Sequence, residues 1–172
     1  MKYLLVLILI FLQSISFGQT KIESLNIDWP NDWKIIVKSE DSTNRQSITQ
    51  LISIEEDIKK WSTIGNVMVL KNYKGPNLET VLNIFLNGHK KESSKAKITI
   101  LEKNDTAKHF WVLYKVETSD FPNDPIPESQ ITYLIQGDTS LFMAFVIIKE
   151  KALSDNFILK WSKILKESRL TF

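Results

Sequence analysis

Residues 141–148 read Leu-Phe-Met-Ala-Phe-Val-Ile-Ile, eight apolar side chains in succession. Extended as a strand, such a segment presents apolar groups on both of its faces, whereas a strand with one wet face alternates. Both faces must therefore be covered, which places this strand centrally in its sheet. Any fold that leaves one side of this sheet to solvent is excluded at that point.

Around this segment the chain alternates with period two, the mark of half-buried strands. Leu25, Ile27 and Trp29 share a face in one segment, and Trp33, Ile35 and Val37 in the next. Ile48, Ile52 and Ile54 line another, with Gln50 between them, and Val67-Met68-Val69-Leu70 and then Ile98 and Ile100 follow. Phe110, Val112, Tyr114 and Val116 continue the pattern, then Ile131, Tyr133 and Ile135. Gly137-Asp138-Thr139-Ser140 between two strong strands reads as a hairpin turn. Phe121 to Pro127 holds three prolines and is expected to be a loop, because proline cannot donate to a ladder.

Two segments change period. Leu78, Val81, Leu82, Phe85 and Leu86 form one helical stripe, with Gly75-Pro76-Asn77 as start signals and Gly88 as the expected stop. A second stripe, Phe157, Ile158, Trp161, Ile164 and Leu165, follows Ser154 as N-cap and Asp155 in the first turn. Lys163, Lys166 and Arg169 crowd its C-terminal end, the favourable sign there. The expected class is α+β: a largely antiparallel sheet with a mid-chain helix and a C-terminal helix. Trp33 and Trp161 lie on inward stripes and are expected to be buried.

The first residues carry an address. Met1-Lys2-Tyr3 supplies one positive charge, Leu4 to Leu12 is unbroken apolar sequence, and Ser16 and Gly18 offer the small side chains a signal peptidase reads. The apolar run is well short of the roughly 20 residues that span a bilayer. Residues 1–18 are thus expected to be a signal peptide and 19–172 a single extracytoplasmic domain, periplasmic or secreted. Membrane association would arise only through an uncleaved signal segment. Without cysteine, no disulfide, thiolate zinc site or thiol nucleophile is available.

The order of elements resembles that of the PsbP-like domains, including DcrB-like periplasmic proteins. Pro30-Asn31-Asp32-Trp33 is similar to the Pro-x-x-Trp entrance of that family, Ile131 to Phe145 to its hairpin, and Phe157 to Leu165 with Ser168-Arg169-Leu170 to its closing helix and exit. The resemblance implies an α/β/α sandwich and an accessory or binding role. The family has no shared catalytic motif, so it implies no catalytic residues.

Chemistry-bearing constellations are few. His89 and His109 are the two histidines, and neither has a nucleophile or ligand-spaced partner nearby in sequence. Ser94-Lys95-Ala96-Lys97 has the Ser-x-x-Lys spacing without the two further signatures that motif requires. No phosphate-binding glycine loop, dinucleotide fingerprint or Gly-x-Ser-x-Gly elbow occurs. No cofactor and no transition metal are expected; Asp120, Asn123 and Asp124 could hold calcium weakly. With 22 basic and 20 acidic side chains, the balance does not suggest a nucleic-acid partner. Trp61, His109, Trp111 and Lys115 are the candidate binding residues, as the aromatic and polar groups least accounted for by the inward stripes. The expected function is a non-enzymatic accessory or binding domain acting on a protein or envelope component. The alternatives are a secreted hydrolase or transferase with a site assembled from Ser, Asp, Glu and Lys, and a small-ligand or lipid carrier with an apolar cavity between helix and sheet.

Overall fold

The computed structural model describes residues 22–118 and 126–172. Residues 1–18, expected as a signal peptide, and the loop positions Asp120, Asn123 and Asp124 lie outside the described residues. The elements are β1 (Ser24–Asn26), β2 (Trp33–Asp41), β3 (Gln46–Ser53), β4 (Thr63–Leu70), α1 (Leu78–Glu92), β5 (Lys97–Asn104), β6 (Trp111–Thr118), β7 (Glu128–Gln136), β8 (Leu141–Ile148), α2 (Asp155–Lys166) and β9 (Arg169–Thr171). The protein is α+β, as expected. Seven strands form one antiparallel sheet in the order β2-β3-β4-β8-β7-β6-β5, and β1 pairs with β9 in a separate ribbon.

Two meanders build the sheet. β2-β3-β4 runs to the middle, α1 carries the chain to the far edge, and β5-β6-β7-β8 returns to pair β8 with β4. The all-apolar strand β8 is fourth of seven, at the centre. Its alternate side chains enter two different cores. Leu141 joins Val112, Tyr114, Val116 and Leu134 against Leu78, Val81 and Leu82 of α1. Phe142, Ala144 and Val146 join Leu113, Ile131, Tyr133 and Ile135 against Trp161 and Leu165 of α2. We call the two sides of the sheet the α1 face and the α2 face. Each fully buried aliphatic or aromatic side chain contributes about 1.5–3 kcal/mol relative to exposure, so the two cores together fix the position of both helices.

Local signals set the helix ends. Asn77 Oδ1 accepts from Thr80 N–H at 2.9 Å, and Ser154 Oγ accepts from Phe157 N–H at 3.2 Å, satisfying donors that have no partner within the helix. Gly88 does not stop α1, which continues to Glu92 and ends at Ser93 in an extended conformation. No described glycine has positive φ, so Gly88 stays helical and the left-handed exit that favours glycine is not used.

A second expectation is corrected in β2. Trp33, Ile35 and Val37 do not share a face, because the register shifts between Ile35 and Val37. The extra residue Ile36 reverses the alternation. Ile35 stays on the face of Trp33 but is 59% exposed, and Val37 crosses to the α1 face. Trp33 itself is half-buried, whereas Trp161 is 2% exposed. The two rings meet at 5.1 Å between centroids, and Trp29 stacks on Trp33 at 5.6 Å. Trp29 and Trp33 lie over β4, where Gly65 leaves room: a Cβ there would stand 2.6 Å from Trp29 and 2.7 Å from Trp33. Both sheet edges, β2 and β5, carry a register irregularity and charged side chains, features that discourage pairing with another chain.

Candidate functional site

The four candidate binding residues are not brought to one surface. Trp61 sits between β3 and β4 with Lys149 Nζ 4.2 Å above its ring. His109 Nδ1 lies 3.0 Å from the Gln136 carbonyl oxygen, at the opposite end of the sheet, and its ring stands 6.4 Å from Phe172. Trp111 packs at 5.7 Å against Tyr133 on the α2 face, with Lys166 Nζ 5.8 Å from its ring. Lys115, on the same face, donates to Glu117 Oε1 at 2.8 Å. That Glu117 oxygen also accepts from Leu153 N–H at 3.1 Å, so the pair ties β6 to the segment leading into α2. Burial works to raise the Glu117 carboxyl, but the hydrogen bonds from Lys115 and Leu153 and the charges of Lys115 and Lys97 hold it below the usual range. Tyr133 is pushed up to about 12, first by burial and then by the nearby Glu102 charge.

A broad concavity lies elsewhere, on the α2 face of β2-β3-β4. α2 packs chiefly on β7 and β8 and reaches the start of β2 through the Trp161–Trp33 contact, so the strands beyond that contact carry no helix on this face. The result is a trough of about 1400 Å³. Its floor is Ile35, Leu51, Thr49, Ser47, Val67 and Val69, which the strand registers place on one face. Its far wall is the segment 22–29, which includes β1.

That wall is anchored at several points. The Glu23 carboxylate accepts from the backbone N–H of Asp138 (2.5 Å), Thr139 (3.0 Å) and Ser140 (2.9 Å), and from the Thr139 hydroxyl at 3.0 Å. Ser24 and Thr171 hydroxyls meet at 2.7 Å, and Arg169 pairs with Asp28 at 3.1 Å. A charge-assisted cluster of this kind is stronger per bond than neutral pairs, so the wall is a fixed part of the site. The rim carries both signs: Lys38, the Lys71–Glu40 pair at 2.5 Å, and the Asp28–Arg169 pair. Hydroxyls, an apolar floor and a mixed-charge rim suit binding; no histidine lines the trough to act as a base.

Sequence reasoning missed this surface for identifiable reasons. Glu23 and its partners are more than a hundred residues apart in the chain, and no short-range pattern links them. Ile35 did leave a signal: Ile35-Ile36-Val37 is three β-branched residues in succession, which breaks the alternation where the bulge occurs.

Among the described residues no group of three or more His, Asp or Glu side chains is placed to hold a metal ion. Among them, too, no helix is long and apolar enough to cross a membrane. Set against known proteins, the chain matches no family model and no curated protein.

Proposed function

We propose that this chain is an exported, non-enzymatic binding domain with a PsbP-like α/β/α arrangement, and that a protein partner of the cell envelope lays an extended segment in the trough. The leader Met1–Gly18 supports export, and one helix on each face of an antiparallel sheet supports the arrangement. The observation that carries the reading is the part of the α2 face of β2-β3-β4 that no helix covers, around Thr49, Val67 and Val69, with Ile35 59% exposed at its edge. Exposed contiguous apolar surface rimmed by polar groups marks interaction sites in soluble proteins. At about 1400 Å³ the trough exceeds the roughly 300–1,000 Å³ typical of small-ligand pockets and suits a chain segment. Hydroxyls of Ser47 and Thr49 offer hydrogen bonds to a backbone, and the paired charges at the rim fit a polypeptide of mixed composition.

Site-directed photocrosslinking in the native envelope tests this reading. A crosslinker at position 35 is expected to give one discrete protein adduct, which Thr49→Lys weakens without lowering the melting temperature. A crosslinker at position 159, where Leu159 is 72% exposed on α2, is the control. Identical adducts from both positions, or none from position 35, would contradict the proposal.

A further inference from the structure

On the opposite side of the sheet the structure holds a second, smaller cavity, of about 430 Å³, between α1 and the strands β4, β8 and β7. It exists because α1 anchors by Leu78, Val81 and Leu82 over β6 and β7 and leaves the α1-face side chains of β4 and β8 partly uncovered. Met68 and Met143 are direct cross-strand partners there, and Phe145 and Ile147 extend the wall. Thioethers and aromatic rings adapt to irregular apolar shapes, and the volume falls in the usual range for small ligands.

α1 supplies the other wall through Phe85, Gly88, His89 and Glu92, one side of the helix at i, i+3, i+4 and i+7. Gly88 matters by its absence of a side chain. A Cβ there would meet nothing within 4 Å, so this glycine serves no close packing and keeps the mouth of the cavity open.

The polar groups indicate the ligand's charge. Glu92 and Glu128 are the charged side chains among the lining residues, and no Lys or Arg is among them. His89 Nε2 lies 3.5 Å from both Tyr114 Oη and Gln130 Nε2, at the outer limit of a hydrogen bond. The Gln130 amide nitrogen carries two N–H groups; one donates to Thr132 Oγ1 at 2.9 Å, and the imidazole nitrogen keeps only the two longer contacts, which a ligand donor can displace. Burial lowers the pKa of His89, and the Glu92 charge opposes this only in part, so the ring is neutral at neutral pH. A carboxylate ligand would face the like charge of Glu92 and find no Lys or Arg among the described lining residues. An ammonium group finds the Glu92 carboxylate, a neutral imidazole and the rings of Phe85 and Phe145.

We propose that this cavity is a binding site for an organic cation, an amine carried on an apolar body. The site is independent of the trough and goes beyond the protein-partner reading.

Calorimetric titration of the full exported chain with n-octylammonium, octanol and octanoate tests it at matched chain length. The ammonium is expected to bind at least about tenfold tighter than the carboxylate. Glu92→Gln is expected to narrow that preference. Gly88→Leu is expected to abolish ammonium binding while the melting temperature holds or rises, since leucine is the better helix former and has space. Thr49→Lys, in the trough, is expected to change none of this. Octanoate binding as tightly as the ammonium, no detectable ammonium binding, or unaltered affinity in Gly88→Leu would each overturn the proposal.

Discussion

The two halves of the sheet are built from similar strands and end in different states. β7 and β8 are buried along nearly their whole length because α1 and α2 cover opposite faces of them. β2, at the far edge, is exposed or half-buried throughout although it contains Trp33, Ile35, Ile36 and Val37. Apolar content therefore does not decide which half becomes core. The placement of two helices does, and both stand over the β5–β8 meander. What the helices leave open is the trough on one face and the smaller cavity on the other.

Tryptophan truncation should break the comparison most visibly. Trp161→Ala removes a fully enclosed ring from the α2 core and is expected to cost roughly 3–5 kcal/mol. Trp33→Ala removes a half-buried ring from the open half and should cost distinctly less. Denaturant melts decide it. Equal losses would mean that the β2 end is as much core as α2.

Two glycines sharpen the contrast, with opposite signs. Gly65→Ala forces a methyl against Trp29 and Trp33 and is expected to cost about 1–3 kcal/mol. Gly88→Ala enters open space in α1 and is expected to stabilise by up to about 1 kcal/mol through helix propensity. Thermal melts of the pair read both. If Gly65→Ala proves neutral, Trp29 and Trp33 do not sit over β4 as described.

The pH effect is smaller. The pKa of His89 lies below its ordinary 6.5 in the folded protein because burial disfavours the charged ring. The unfolded chain therefore binds the proton first as pH falls, and stability is expected to decline from about pH 6.5 downward. Tyr114 and Gln130 face the ring from the sheet and Glu92 from its own helix. Stability measured between pH 7 and 5 should slope less in His89→Gln than in the parent. Parallel slopes would show that His89 is not desolvated.

How much of this was legible varies by element. The centrality of residues 141–148 followed from their apolar run, and both helix starts from Asn77 and Ser154, because these are local patterns. The end of α1 was not legible: Gly88 is compatible with a stop and with an open cavity mouth, and only the neighbouring strands distinguish them. Along residues 110–116, alternation put Phe110, Val112, Tyr114 and Val116 on one face and left Trp111 and Lys115, as candidate binding residues, on the other. Both are covered, the first near α1 and the second beside α2, since β6 lies between two helices. The β1–β9 ribbon and the Glu23 contacts join chain ends that no window compares. The trough and the cavity are spaces between elements, so their outlines depend on packing rather than on any one segment.

The central claim is that β2-β3-β4 is the open half and β7-β8 the enclosed one, and native-state hydrogen exchange followed by mass spectrometry tests it most directly. Amides of residues 129–135 and 142–147 are expected to exchange only through global unfolding. Those of 34–40 and 46–49 should exchange about tenfold faster or more, through local opening about 1.4 kcal/mol or further below the global value. Equal protection across both sets would show that the β2–β3 edge is covered in the protein, and the trough could not be the site proposed for it.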